Sequence, residues 1–396
     1  MAGSVDLSFA TRPGNVDAVG DLIQELSILQ RDLNHGDENI RQTMLVKART
    51  LVHSLQTPRE IMVQHTWADP GLNAVLITGV DIGLWKLMVK NGADKAQKVE
   101  DLARSLGMDP ILLGRLLRHA AAMGHLKEIG QDEYKLSSFT RSLSLDVIGD
   151  GYLALLGGIG RSPIEFYKFL RQTQWKNPTD ASHTAMHVSY DTKLPNCFEY
   201  LRSIGLGPQT NNHMGGYRQG RLPWMHPSLY PVEDTLFTGS DESPDAPLLV
   251  DVAGGLGHDI HEFKKFYPIH PGKLILQDLP VVINDVKDID PSIELMPHDF
   301  LTEQPVKGAR AYFMHSILHD WPDDQTSYIR VCHTKNGAYW EATAGDILMM
   351  TQLSALERTE DNWYQLIEGS GLNLKIVKFW KCGVASVENL IECELV

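Results

Sequence analysis

Cysteine is scarce in this chain, and the few that occur form no pattern. There are 4 cysteines among 396 residues, too few for the disulfide framework of a small secreted domain. None is spaced from another as paired metal ligands are. We therefore expect reduced thiols, no metal site and a cytoplasmic protein. The cysteines are Cys197, Cys332, Cys382 and Cys393.

Long apolar runs and a surplus of positive charge are also absent. No stretch approaches the roughly 20 apolar residues that a membrane span needs, and the first residues lack the basic and apolar regions of a signal peptide. Lysine and arginine number 36 against 50 acidic residues, so the formal net charge is −14. Because nucleic-acid phosphates are bound by basic surfaces, we expect neither a nucleic acid nor a membrane as partner.

What the chain does have is apolar periodicity, beginning in its first third. The segment 99–106 has a helical pattern that ends at Gly107, and Asp109 is placed to cap a second helix. Two short strand patterns follow at 124–129 and 134–136, and this order predicts a winged helix. The second helix carries few basic residues for DNA binding, so we favour a packing or dimerising role. Earlier helices are predicted over 16–34, 40–55 and 72–90.

The middle of the chain mixes methionine and aromatic residues into an irregular helical pattern. Such residues adapt to flat organic ligands, although the same pattern is typical of an ordinary helical core. Met186 and Trp224 are candidates for a substrate pocket, and Met349 and Met350 fall on one face of a later helix. The predicted domains are 1–145, 146–236 and 237–396.

A glycine-rich stretch organises the last of these domains. An apolar strand pattern starting at Leu248 ends near Asp251, and Gly254, Gly255 and Gly257 then open a helical pattern. Glycines allow a tight turn and the close approach of a ligand. Strand and helix patterns then alternate, which predicts a mostly parallel, doubly wound α/β sheet. The predicted strands are 248–253, 273–277, 293–296 and 309–314.

Polar and aromatic side chains follow the predicted strands. Ligands of a doubly wound sheet bind beyond the carboxyl ends of its strands. Asp278 ends the second strand, where an acid commonly bonds ribose hydroxyls, and Asp299 with Phe300 ends the third. His315 and His319 follow the fourth. The set predicts a ligand that contains a nucleoside.

His319 is the candidate general base, since an imidazole titrates near neutral pH and can take a proton from a hydroxyl. The alternative is a structural histidine that caps a helix beginning near Pro322. Asp320 or Asp323 could fill that cap instead, which would leave His319 free for chemistry.

Five segments, in this order along the chain, resemble the fungal class of plant-type O-methyltransferases, a group that includes caffeate- and sterigmatocystin-type enzymes. The similarity covers nearly the whole chain, and it implies an S-adenosylmethionine cofactor and a homodimer formed through the winged-helix domain. The segments are 251–258 (DVAGGLGH), 277–280 (QDLP), 298–300 (HDF), 317–323 (ILHDWPD) and 356–359 (LERT) followed by Trp363.

The resemblance also implies residue roles. His319 would deprotonate a hydroxyl of a phenolic or polyketide-like small molecule, and Glu357 would orient that histidine. Asp278 would hold the ribose, and Asp299 and Phe300 would flank the adenine. The methyl group would move by in-line displacement, without a metal. The implied cofactor-binding set is Asp251, Gly254, Gly255, Gly257, Asp278, Leu279, Asp299, Phe300 and His315.

Three departures from the family pattern qualify this interpretation. Ala253 replaces the first glycine of the usual triple, and His315 stands where relatives carry Arg or Lys near the cofactor. From residue 332 the chain reads CHTKNGAYWE, which contains no apolar run, so one central strand is missing together with an acid that would flank His319. Either the chain is a mis-spliced or mis-predicted gene product, or the protein completes its core in some other way.

Two other functions remain open from the sequence. Some fungal relatives have the methyltransferase fold but catalyse pericyclic or dehydrative steps without transferring the methyl group. The lost acid and His315 favour that alternative, whereas His319 and Glu357 oppose it. A catalytically inactive dimer partner is the non-enzymatic possibility.

Overall fold

The computed structural model describes residues 7–33, 37–217, 220–321, 339–369, 373–381 and 389–396. The chain forms two compact units, the first ending at Leu153 and the second beginning at Ala154. The boundaries at 145 and 236 remain predictions.

The first unit is mainly helical. Asp37 caps α2 by accepting from the amides of Asn39 and Ile40, and Thr57 and Glu60 cap α3 reciprocally. The predicted helices over 16–34 and 40–55 are confirmed. The helices are α1 (Val19–Leu33), α2 (Glu38–Leu55), α3 (Pro58–Val63), α4 (Asp69–Asp81), α5 (Leu84–Gly92), α6 (Val99–Leu106), α7 (Pro110–Ala122), α8 (Ser138–Ser142) and α9 (Asp146–Gly151).

The single helix predicted over 72–90 is wrong, because the chain breaks between α4 and α5. Gly83 takes φ = +73° there, a left-handed conformation that ends a helix and that glycine adopts without penalty. Helical periodicity continues across the break, so the apolar pattern alone could not reveal it.

No single described helix is long and apolar enough to cross a bilayer; by length and composition only, one pair bent by 66° passes that test.

The predicted winged helix is confirmed. Gly107 ends α6 with φ = +67°, and the Asp109 carboxylate caps α7 by accepting from the amide of Leu112 at 2.9 Å. Trp85 and Tyr134 are fully buried in the core of this unit. Its three antiparallel strands, in the order β1-β3-β2, are β1 (Gln97–Lys98), β2 (Leu126–Gly130) and β3 (Glu133–Leu136).

The second unit combines helices with a parallel sheet. Its helices are α10 (Arg161–Gln172), α11 (Ala185–Tyr190), α12 (Cys197–Ser203), α13 (Gly207–Gly216), α14 (His258–Phe266), α15 (Pro280–Ile283), α16 (Trp340–Leu353) and α17 (Glu360–Ile367). Its strands are β4 (Pro247–Val252), β5 (Lys273–Asp278), β6 (Ile293–Pro297), β7 (Ala311–Phe313), β8 (Leu374–Lys381) and β9 (Asn389–Leu395).

Four of these strands form the predicted parallel sheet, in the order β6-β5-β4-β7. Strand β4 pairs with β5 and with β7 in parallel, so the carboxyl ends of all four strands lie at one edge. β4 is almost entirely buried, as expected for a central strand covered on both faces.

The two closing strands pair separately from this sheet. β8 and β9 form an antiparallel pair, and within the described residues they do not join the four-stranded sheet. The helix expected to begin near Pro322, and the point after residue 332 where a central strand is missing from the sequence, lie outside the described residues.

Ala253 is strained by its backbone conformation. Its φ is +56°, which costs an L-residue roughly 1–2 kcal/mol relative to the right-handed region. We expect Ala253→Gly to raise the free energy of unfolding by up to about 1 kcal/mol, since the greater freedom of glycine in the unfolded chain offsets part of the gain. Urea denaturation measures this; Ala181→Gly, in a turn without positive φ, is the control. An unchanged or lower stability of Ala253→Gly would contradict the strain.

Candidate active site

The link between β4 and α14, residues 253–257, is called the glycine turn here. The surroundings differ from one of its glycines to the next. A Cβ at Gly254 would lie 2.5 Å from the Asp251 carboxylate, and one at Gly257 would lie 2.7 Å from Ile289. A Cβ at Gly255, which has φ = +61°, would meet nothing within 4 Å. The turn is therefore tightly packed underneath and open above Gly255, so a ligand can approach its backbone there.

Asp278 lies directly beside this opening. Its carboxylate accepts from the amide of Gly255 at 2.8 Å and from the amide of Leu279 at 2.7 Å. Burial raises the pKa of Asp278, although these two amides and the positive charge of Arg202 oppose the rise. The acid thus ties the end of β5 to the glycine turn, and it can also accept from hydroxyls of a ligand.

The residues after β6 reach the same edge of the sheet. The amide of His298 donates to the carbonyl of Asp278 at 2.8 Å, so the two strand ends are joined. The Asp299 side chain is exposed at the next position and accepts from the amide of Leu301 at 3.0 Å. Phe300 stands edge-on to Trp321, with ring centres 5.8 Å apart. The residue predicted to contact the ribose and those predicted to contact the adenine therefore lie on two adjacent strand ends.

His315, after β7, is held by an acid that the sequence did not single out. Its Nδ1 lies 2.6 Å from Oδ2 of Asp259, and both side chains are nearly buried. Asp259 lies in the first turn of α14, so this pair links the end of β7 to the helix that the glycine turn begins. The sequence shows Asp259 directly after the glycine-rich stretch, but it does not show that its partner is His315, which is 56 residues away.

His319 and Glu357 are in direct contact. The Nδ1 of His319 lies 2.6 Å from Oε1 of Glu357, and their side chains are 17% and 8% exposed. An ionised carboxylate only accepts, so Nδ1 carries the proton, and in the neutral imidazole the lone pair is then on Nε2. Asp346 on α16 holds Glu357 in place by accepting from its backbone amide at 2.9 Å.

A second carboxylate lies near Nε2 of the same histidine. Oδ1 of Asp320 is 3.4 Å from this nitrogen, whereas the sequence suggested Asp320 only as a helix cap. Burial and the nearby Asp320 charge both raise the pKa of the Cys197 thiol on α12. Cys197 therefore remains a neutral thiol beside the acid.

The candidate substrate residues separate into two places. Met186 is fully buried and shares a cluster with Cys197, Leu353 and the partly buried Met349. Met350 follows on α16 and is half-buried.

Trp224 lies elsewhere, in the core cluster beneath the sheet. It stacks on Phe313 at 4.7 Å and on Phe263 at 5.7 Å. Its ring therefore packs against β7 and α14, in an environment distinct from that of the three methionines.

Together, the parallel sheet, the open glycine turn and the acid that ends the next strand define an α/β protein of the nucleoside-binding class. A family model described as an O-methyltransferase domain matches residues 234–334. The O-methyltransferase mpaG of Penicillium brevicompactum is 32% identical, over 94% of this chain and 98% of its own length. The chain belongs to the S-adenosylmethionine-dependent O-methyltransferase family, whose relatives serve fungal secondary metabolism.

Solved structures extend this similarity to the fold. The LepI complex with SAM superposes with a TM-score of 0.82 at 26% identity, covering 96% of this chain and all 100% of the other. A structure described as a pericyclic reaction enzyme gives 0.82 at 27% identity, covering 95% of this chain and 100% of the other. The predicted family, fold class and cofactor are confirmed.

Proposed function

We propose that this enzyme methylates a hydroxyl of an aromatic or polyketide-type secondary metabolite, with His319 as general base. The observation that carries the proposal is the 2.6 Å contact between His319 Nδ1 and Glu357, because it leaves Nε2 as the proton acceptor. When bound, S-adenosylmethionine supplies an electrophilic methyl group.

The glycine turn and its neighbours suit this cofactor. The open space above Gly255 admits a ligand to the backbone, and Asp278 would accept from the ribose hydroxyls. Asp299 and Phe300 would flank the adenine, while Asp251 supports the turn from below. Leu279 would add an apolar contact, and His315, held by Asp259 on α14, would complete the set.

The chemical step needs one proton acceptor and close alignment. His319 Nε2 would take the hydroxyl proton, and S-adenosylmethionine, held by the glycine turn and Asp278, would supply the methyl group to the acceptor oxygen. Glu357 then stabilises the imidazolium through its short contact with Nδ1. Apolar side chains such as those of Met186, Met349 and Met350, if they line the acceptor site, would favour a flat, weakly polar acceptor over a strongly charged one.

A second reaction is favoured by one specific combination. A structure described as a pericyclic reaction enzyme superposes with a TM-score of 0.82. In addition, this chain has His315, in contact with Asp259, at the position where the family pattern has Arg or Lys. Under this alternative, a substrate would rearrange or lose water without gaining a methyl group.

Incubation with methyl-labelled cofactor and a panel of phenolic acceptors distinguishes the two reactions. Label in the product, with the mass of one added methyl group, supports methyl transfer. A changed product without added methyl mass supports the alternative. Cofactor binding without turnover of any acceptor would instead support the inactive dimer partner.

We also propose that the first unit forms a homodimer. Helix α1 buries none of its residues within the described chain, and apolar side chains on α1 and α2 are about half exposed: Ile23 54%, Ile28 51% and Val46 47%. Exposed apolar surface of this kind is typical of a protein interface. Sedimentation velocity of the full chain tests the prediction, and a monomer across micromolar concentrations would contradict it.

A further inference from the structure

A fully buried arginine stands behind the short turn that carries His319. This turn, Leu318–Asp320, is called the histidine turn here. Arg358 is only 1% exposed. Its Nη1 donates to the carbonyl of Leu318 at 2.8 Å, and its Nη2 donates to the carbonyl of Trp321 at 3.0 Å. The two carbonyls flank His319 and Asp320, so one side chain holds the first residue of the histidine turn and the residue that directly follows it.

The surroundings of Arg358 keep its guanidinium in this position. The charge lies over the ring of Trp363 at 5.2 Å from the ring centre, and Trp363 is itself fully buried. A buried charge is costly unless it is well hydrogen-bonded, so a rotation that broke the two carbonyl bonds would be strongly opposed. The guanidinium also has donors in a rigid, planar arrangement, which fixes two carbonyls at once.

Arg358 directly follows Glu357 in the chain, and the two residues act on different parts of the same histidine. Glu357 contacts Nδ1 of the ring at 2.6 Å, while Arg358 fixes the backbone that carries the ring. An error of about 1 Å in the placement of a reacting group can cost on the order of 100-fold in rate. The segment 357–358 therefore constrains both the orientation and the location of His319.

We propose that Arg358 is a positioning residue that holds the histidine turn so that Nε2 of His319 faces the acceptor hydroxyl. This rests on the proposed role of His319 as base. Arg358 itself contacts neither cofactor nor substrate in this proposal; it acts through the two carbonyls. A lysine at this position keeps the charge but offers no planar fork, so it cannot hold both carbonyls in the same way.

The test uses the full-length protein with Arg358→Lys and Arg358→Ala. We expect kcat for methyl transfer to fall about 10- to 100-fold in Arg358→Lys, by the alignment argument, while the Kd for S-adenosylmethionine measured by calorimetry stays within about twofold. Added guanidinium should partly restore kcat in Arg358→Ala. The limb of the pH–rate profile that reports the base should also shift, because the positions of Glu357 and Asp320 relative to the ring change.

Ile367→Ala is the matched control for a merely structural effect. Ile367 is fully buried in the same cluster as Leu318 and Trp363, so its truncation loosens this cluster without removing either carbonyl bond. We expect the control to lower stability but to retain kcat per folded molecule, with no response to guanidinium and an unchanged pH profile.

A readout independent of turnover separates this proposal from the proposed function. NMR titration of the His319 imidazole should give a changed pKa in Arg358→Lys and an unchanged one in Ile367→Ala, even if no acceptor is methylated by the wild-type protein. A folded Arg358→Lys variant with wild-type kcat and wild-type His319 titration would overturn the proposal. Failure of both Arg358 variants to fold would also overturn it, since the bonds would then serve folding alone.

Discussion

Replacing His319 by alanine is expected to lower kcat for methyl transfer by about two to four orders of magnitude, the usual contribution of a positioned general base. The loss follows because the variant lacks Nε2, the atom that would accept the hydroxyl proton. Asp320, whose Oδ1 is 3.4 Å from that nitrogen, lies close by but is a weaker base than imidazole. S-adenosylmethionine should still bind, since the glycine turn and Asp278 are unchanged.

Rates with a methylatable phenolic acceptor and calorimetric titration of the cofactor measure the two effects separately. His53→Ala is the matched control, because His53 is exposed in the last turn of α2. Near-wild-type methylation by His319→Ala would reject His319 as the base. Glu357→Gln should lie between the two variants, because glutamine retains an acceptor for Nδ1 but does not stabilise the imidazolium.

Replacing Asp278 by asparagine is expected to weaken cofactor binding strongly. Asparagine offers one acceptor oxygen, so the amides of Gly255 and Leu279 can no longer both be satisfied, and the charge that attracts the ribose hydroxyls is lost. Hydrogen bonds to charged groups contribute about 1.5–3 kcal/mol each. Losing one raises the Kd roughly 10- to 150-fold.

The same carboxylate should make cofactor binding depend on pH. Burial raises the pKa of Asp278 in the folded chain, so the native state holds this proton more tightly than the unfolded chain. The carboxylate therefore costs stability above its raised pKa, and the cost disappears as the pH falls below the ordinary value. The Kd for S-adenosylmethionine should rise as the pH falls through the raised pKa, because the ionised form is the better acceptor.

Calorimetric titration of S-adenosylmethionine across an acidic pH series tests whether Asp278 holds the cofactor and whether binding depends on its ionisation. Asp278→Asn should show a weaker affinity that no longer varies over this window. Asp285→Asn, at a nearby exposed position, should behave as wild type. Equal affinity of Asp278→Asn and wild type at neutral pH would show that this acid does not hold the cofactor.

Much of the fold was predictable because it follows from local sequence. The capped pair α6 and α7 and the strands of the parallel sheet were predicted from apolar periodicity and capping residues. Errors arose where periodicity continued through a change in backbone direction, as at Gly83, or where a strand was shortened: the strand predicted over 309–314 extends only over Ala311–Phe313.

The candidate cofactor site was predictable to a similar extent. The ends of parallel strands meet at one edge of the sheet, so Gly255 and Asp278 could be assigned to one site from strand order alone. Trp224 could not be placed in this way. Its aromatic character suits a pocket and a core equally well, and its stacking on Phe313 and Phe263 is a feature of the packed unit.

Local sequence was enough to predict the parallel sheet, the glycine turn and the row of strand-end residues, because each depends on side-chain periodicity or on the conformational freedom of residues adjacent in the chain. Which side chains form pairs depends instead on tertiary packing. His319 meets Glu357 across 38 residues and His315 meets Asp259 across 56. Arg358 reaches two carbonyls about 40 residues earlier in the chain. Such contacts depend on how the helices pack beyond the sheet edge, and no local pattern encodes that geometry.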